Sequence, residues 1–152
     1  MNFTISTVAK SLAAYLEPYF PDVTLLQNPT QQNANPPCMF LQQRYSFIKV
    51  KTAGRFLRQI GLDLVYRERY NLPNLQELYQ AAAEQLDLLM ETFPYSDGTT
   101  EGTALLRTYE REWRIDQDAM HYKFELQVWV EQPETITPME TMDYQEAVTD
   151  GS

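Results

Sequence analysis

The chain has 152 residues, with 12 Lys+Arg, 21 Asp+Glu and one His, for a formal net charge of −9. That length fits a single domain with a sizeable core, and 43% hydrophobic with 12% aromatic content argues for a folded protein. The acidic balance disfavours general binding to nucleic acid or anionic membrane, and the single Cys excludes an intrachain disulfide.

The N-terminus lacks a basic region followed by a long apolar run, so it does not read as a signal peptide. No apolar stretch approaches the roughly 18 residues that a membrane-spanning helix needs. The chain reads as made in a reducing cytoplasm, with a buried thiol at Cys38.

In chain order, residues 4–19 predict a helix. Ile5, Val8, Leu12, Tyr15, Leu16 and Tyr19 form one stripe, Thr4 is the N-cap, and Pro18 either distorts the last turn or stops the helix before it. Residues 22–27 predict a short strand, and 28–37, rich in Asn, Gln and Pro, a loop. Residues 38–51 predict a bent or bulged strand, because the alternation breaks between Gln42 and Ser46. A turn at 52–54 leads into a strand over 55–67, with Phe56, Ile60, Leu62, Leu64 and Tyr66 on one face. Residues 73–93 predict a long amphipathic helix running from Leu75 to Phe93. Asn74 and Glu77 stand at capping-box spacing, and an outer face bears Glu77, Glu84, Asp87 and Glu91. Tyr95–Gly98 predicts a turn. Residues 103–115 and 119–130 predict a second hairpin, with Met120, Tyr122, Phe124, Leu126 and Val128 facing the core.

The expected fold is α+β: an antiparallel four-stranded sheet of two hairpins with two amphipathic helices packed on one face. The expected organisation is a single domain over 1–130 and an acidic tail over 131–152, disordered alone or ordered against a neighbour.

Chemistry is sparse in the sequence. His121 falls on the outward face of a strand and reads as a surface residue, and Cys38 as a small buried hydrophobe. Asp97-Gly98 and Asp116-Gln117-Asp118 read as turns rather than calcium loops. No phosphate-cradling glycine motif or nucleophile elbow occurs. The sequence therefore gives no catalytic residue, metal site or cofactor.

Charge is unevenly spread. Residues 44–69 hold seven bases against Asp63 and Glu68, residues 131–152 hold six acids and no base, and the 73–93 helix carries four acids and no base. Arg44, Lys49, Lys51, Arg55, Arg58 and Arg67 thus form a candidate subunit or tube interface. Glu77, Glu84, Asp87 and Glu91 form a candidate acidic counter-surface for head-to-tail self-association into a ring. A basic face lining a ring channel could also meet DNA passing through it.

Three stretches carry a family resemblance. They are Pro37-Cys38-Met39-Phe40-Leu41 after the proline-rich loop, the strand Arg55–Tyr66 leading into the Leu75–Phe93 helix, and the closing strand Asp118–Val130. Over about residues 3–130 the chain resembles the small tail terminator and tail completion proteins of tailed bacteriophages, of the Gram-positive host type. The resemblance implies a terminator-like α/β sandwich and a homo-oligomeric, hexameric ring. Such a ring caps the tail tube, ends its polymerisation and joins the tail to the head-side connector. It further implies a virion location at the tail or head–tail junction, with the tube protein and the connector as partners and no enzymatic activity. The alternative reading is a small acidic regulatory or inhibitor protein mimicking the charge of DNA, against which the basic hairpin argues.

Overall fold

The computed structural model describes residues 3–25, 35–69, 71–116 and 119–131. The 131–152 tail beyond Glu131, most of the 28–37 loop and residues 117–118 of the turn lie outside the described residues.

Helix α1 spans Ile5–Leu16 and a 3-10 turn covers Glu17–Tyr19. The Thr4 hydroxyl accepts from the Thr7 N–H at 3.1 Å, and the Thr7 hydroxyl accepts from the Thr4 N–H, so the first turn closes on itself. Pro18 lacks the N–H that a further α-turn would use, which is why the helix tightens there. Val8, Ala9, Leu12, Ala13 and Leu16 are buried, whereas Tyr19, carried off the stripe by the 3-10 turn, is exposed.

The strands are β1 (Thr24–Leu25), β2 (Cys38–Thr52), β3 (Arg55–Arg67), β4 (Thr92–Ser96), β5 (Thr103–Ile115) and β6 (Met120–Glu131). Helix α2, Leu75–Leu89, joins β3 to β4. The sheet order is β1-β2-β3-β6-β5-β4, with β1 parallel to β2 and every other pair antiparallel. The expectation of a four-stranded antiparallel sheet is therefore overturned: the sheet is six-stranded, mixed and curled into a half-barrel, within an α+β fold. The two hairpins form its centre, joined through β3 and β6. The difference lies at the edges, where β1 and β4 are added.

Strand β4 occupies residues assigned above to the end of the helix and to a turn. The residue before a proline avoids the helical region, and Pro94 cannot donate a helix hydrogen bond, so the helix ends before Phe93. Phe93 and Tyr95 then alternate inward from an edge strand, a position that tolerates proline. The Asn74 side chain makes no cap hydrogen bond, so the capping-box expectation fails as well.

Strand β2 is bulged twice, between Gln43 and Tyr45 and between Ile48 and Val50. This accounts for the broken alternation in its sequence, because each bulge exchanges the faces of the residues after it. Gly54 closes the β2–β3 turn at φ 82°, a left-handed value that glycine adopts without steric cost.

The main core lies between one sheet face and both helices. Val8, Leu12 and Leu16 of α1, Tyr79 and Leu86 of α2, and Leu62, Leu64, Tyr122, Phe124 and Leu126 of the central strands belong to one buried cluster. Tyr66 and Tyr79 meet edge-to-face at 5.3 Å between ring centroids.

Candidate functional site

The face of the sheet turned away from the helices holds most of the groups that could act. At one end a smaller buried cluster forms from Cys38, Phe40, Val65 and Ala119. Burial pushes the Cys38 thiol up from its ordinary value, while the nearby Arg67 guanidinium pulls it down. Arg67 lies 5.3 Å from the centre of the Phe40 ring, so this cation is spent partly on the cluster.

Beside that cluster His121, paired with Val65, is half-buried. Its Nδ1 lies 2.8 Å from Asp63 Oδ2 and its Nε2 3.3 Å from Asp116 Oδ2. Asp63 is only 7% exposed, and its Oδ1 has no hydrogen-bond partner among the described residues. The sequence placed His121 outward as a surface residue. The structure instead sets it between two carboxylates, a polar tie between β3, β6 and the β5–β6 turn. Both residues were legible as members of the polar face, but their meeting depends on the β3–β6 register, which pairs Val65 with His121 and Asp63 with Lys123.

Further along, Tyr45 lies across Gly61. Its hydroxyl donates to Glu125 Oε2, and Gln59 Nε2 donates to Glu125 Oε1 at 3.1 Å. Burial and the Glu125 carboxylate raise the Tyr45 pKa. The Tyr45 ring stacks on Phe47 at 5.9 Å.

Beyond this point β2, β3 and β6 continue as a three-stranded ribbon. Pairing of β6 with β5 ends at Leu126, while pairing of β3 with β6 runs on to Arg55 and Glu131. Here Val50 pairs with Leu57, and Leu57 with Trp129, forming a cross-strand apolar row. Phe47, Val50 and Trp129 are 47%, 41% and 40% exposed. The Arg55 guanidinium covers Trp129 at 4.3 Å from the ring centre.

The six candidate basic residues do not share one surface. Lys49, Lys51 and Arg55 are exposed around the ribbon end, Lys51 beside Phe56 on the helix-side face, whereas Arg44 is exposed below the ribbon, over the Tyr45 ring. Arg58 points to the helix side, where its Nε donates to Ser46 Oγ at 2.9 Å and its Nη1 to the Phe3 carbonyl at 3.4 Å. Arg67 lies at the opposite end of the sheet, beside Cys38.

Of the four acidic residues, Glu77 and Glu84 are exposed on α2. Asp87 accepts from Tyr122 Oη at 2.7 Å and from Trp113 Nε1 at 3.2 Å. Glu91 pairs with Arg107 at 3.0 Å. Asp87 therefore ties α2 to β5 and β6, whereas Glu91 stands past the end of α2, not on its outer face as expected, and pairs with β5.

An open groove of about 600 Å³ runs between α1 and the β4–β5 edge. Its polar groups are engaged: Ser11 Oγ with the Ser96 backbone, Tyr15 Oη with the Leu89 carbonyl and Tyr95 Oη with Thr7 Oγ1. Among the described residues no group of three His, Cys, Asp or Glu is placed to hold a metal ion, and no helix is long and apolar enough to cross a membrane.

Polar side chains on the outer sheet face make cross-strand ties, and Phe47, Val50 and Trp129 leave an exposed apolar row beside Arg55. The chain belongs to the phage tail terminator protein family, whose model matches residues 7–138. The match begins within α1 and continues past the end of β6. No curated protein matches the chain. The family is structural rather than catalytic, and its members are virion components that associate with other parts of the phage tail.

Proposed function

We propose that the protein assembles into a homo-oligomeric ring, a hexamer, that caps the phage tail tube. The ring ends tube polymerisation and presents its other side to the head-side connector. The observation that carries this reading is family membership over residues 7–138. The ribbon end supports it, because solvent-exposed Phe47, Val50 and Trp129 form a patch suited to burial against another protein surface.

In this reading Arg44, Lys49, Lys51 and Arg55 steer the ribbon end of one subunit towards acidic Glu77 and Glu84 on the next. A contact between two different surfaces closes into a ring when its rotation closes. Residues 1–130 act as the folded unit and 131–152 as an acidic appendage. Catalysis has no part in the role, and DNA passing through the channel would meet it only in transit.

The test is static light scattering of the purified chain, alone and with tail tube protein. A ring-sized species in either sample is the expected result. Monomer alone under both conditions would reject the reading.

A further inference from the structure

Helix α2 turns one large apolar residue outward. Glu77, Ala81, Glu84 and Leu88 are exposed and follow one another at steps of four, three and four, so they form a single stripe on the face away from the core. Leu88 is 86% exposed. A lone exposed leucine is ordinary on a protein surface. This one shares its stripe with two acids, and among the described residues neither Glu77 nor Glu84 has an ion-pair partner. Asp87 and Glu91, by contrast, are engaged with the sheet.

The outer face of the ribbon is the complement of that stripe. Val50, Leu57 and Trp129 stand side by side across β2, β3 and β6, and Arg55 shares their face two residues before Leu57. Stacking on Trp129 uses the flat face of the Arg55 guanidinium and leaves its N–H edge for a carboxylate. Glu131 stands opposite Arg55 in register but forms no ion pair with it, and among the described residues Arg55 has no other ion-pair partner.

The spacings agree. Glu84 precedes Leu88 by about 6 Å along the helix axis, at 1.5 Å per residue. Arg55 precedes Leu57 by about 6.6 Å along the strand. A helix laid along β3 with Leu88 over the Leu57–Trp129 pair therefore sets Glu84 over Arg55. Ala81, a turn further on, lets that helix come close above the β2–β3 turn. One chain cannot make this contact with itself. Its α2 packs on the other face of the sheet, with the stripe turned away from it.

We infer that the outer stripe of α2 on one copy docks along β3 on the outer ribbon face of a second copy, Leu88 seated on Leu57 and Trp129 and Glu84 paired with Arg55. The two surfaces differ, so the contact runs head to tail. The inference rests on the self-assembly reading above and names the residues at its contact.

The experiment compares the full chain with Glu84→Arg, Arg55→Glu, the two together, and Leu88→Ser. Sedimentation velocity follows each over a concentration series, with tail tube protein added where the chain alone stays monomeric. Each single charge reversal should raise the concentration of half-assembly about tenfold, and the pair together should return it to within about threefold of the unaltered chain. Leu88→Ser should raise it by about tenfold as well. Glu84 and Leu88 are exposed, so their variants should keep the unaltered melting temperature. Assembly unmoved by Glu84→Arg and Leu88→Ser would overturn the inference and leave the self-assembly reading standing. So would a loss in both charge variants with no recovery in the pair. An unaltered chain that stays monomeric in every sample would reject both. Should Arg55→Glu lower the melting temperature, a Val50→Cys chain is mixed with a Leu88→Cys chain and treated with a short bis-maleimide. Cys38 is buried, so a cross-linked pair should form in the mixture and in neither chain alone. No gain in cross-linking on mixing would overturn the inference.

Discussion

Replacing Gly61 by Ala tests the physical account of the outer sheet face. A Cβ at Gly61 would lie closer than 3.0 Å to three atoms of the Tyr45 ring, so the ring must leave. Displacement removes the Tyr45–Glu125 hydrogen bond, worth about 1–1.5 kcal/mol at a half-buried site. It also removes the stack on Phe47, worth about 0.5–1 kcal/mol. Alanine regains about 0.5–1 kcal/mol over glycine in a strand, through the smaller entropy loss on folding. The net cost is about 1 kcal/mol, a melting-temperature drop of about 2–4 °C for a chain of this size. Thermal unfolding of Gly61→Ala, Tyr45→Ala and the double variant forms the cycle that isolates the clash. Once Tyr45 is gone, the alanine should be neutral or slightly stabilising. An equal loss from Gly61→Ala in both backgrounds would refute the steric argument.

Three further outcomes follow from the same geometry. His121→Leu leaves the nearly buried Asp63 carboxylate without its ring partner and should cost about 3 kcal/mol in denaturant unfolding, with much of that recovered by adding Asp63→Leu. Tyr66 and Tyr122 are both pushed above the ordinary tyrosine value of 10.0, mainly by burial and then by the Glu68 and Asp87 carboxylates. A raised folded-state pKa means that this stability is fully present below pH 10.0 and is lost as the pH climbs above it, so Tyr66→Phe and Tyr122→Phe should each flatten the alkaline decline of the melting temperature. Arg44→Glu with Arg55→Glu should weaken assembly, measured by light scattering, and more so at low salt, where exposed charges are least screened. Arg58 is kept out of that pair because it is tied to Ser46 and the Phe3 carbonyl.

The central part of the fold is legible in the residues themselves. Alternation over 55–67 and 119–130 gives two long strands with one apolar face, and the register Leu62–Phe124 and Leu64–Tyr122 joins those faces. The edges are less legible. The short strand expected over 22–27 contains β1, but two residues carry no period that would place it beside β2, and Phe93 fits the helical spacing that follows Leu86 and Met90 as well as it fits a strand. Pro94 was the available signal, because it closes the helix and permits an edge strand. The site divides in the same way. Bases in the β2–β3 hairpin are visible as a cluster in sequence, but the alternation of β3 puts Arg58, between Phe56 and Ile60, on the helix side, and the length of the strand carries Arg67 to the far end. Asp87 and Glu91 look like an exposed stripe until β5 brings Trp113 and Arg107 against them. Partners distant in sequence leave no mark in the period of either strand.

The proposed role at the head-side end of the tail tube is tested most directly by polymerising tail tube protein with and without this chain and measuring tube lengths by electron microscopy. The proposed role predicts short tubes, each bearing a ring of this protein at one end, with length falling as its concentration rises. Tubes of unchanged length with bare ends would contradict it.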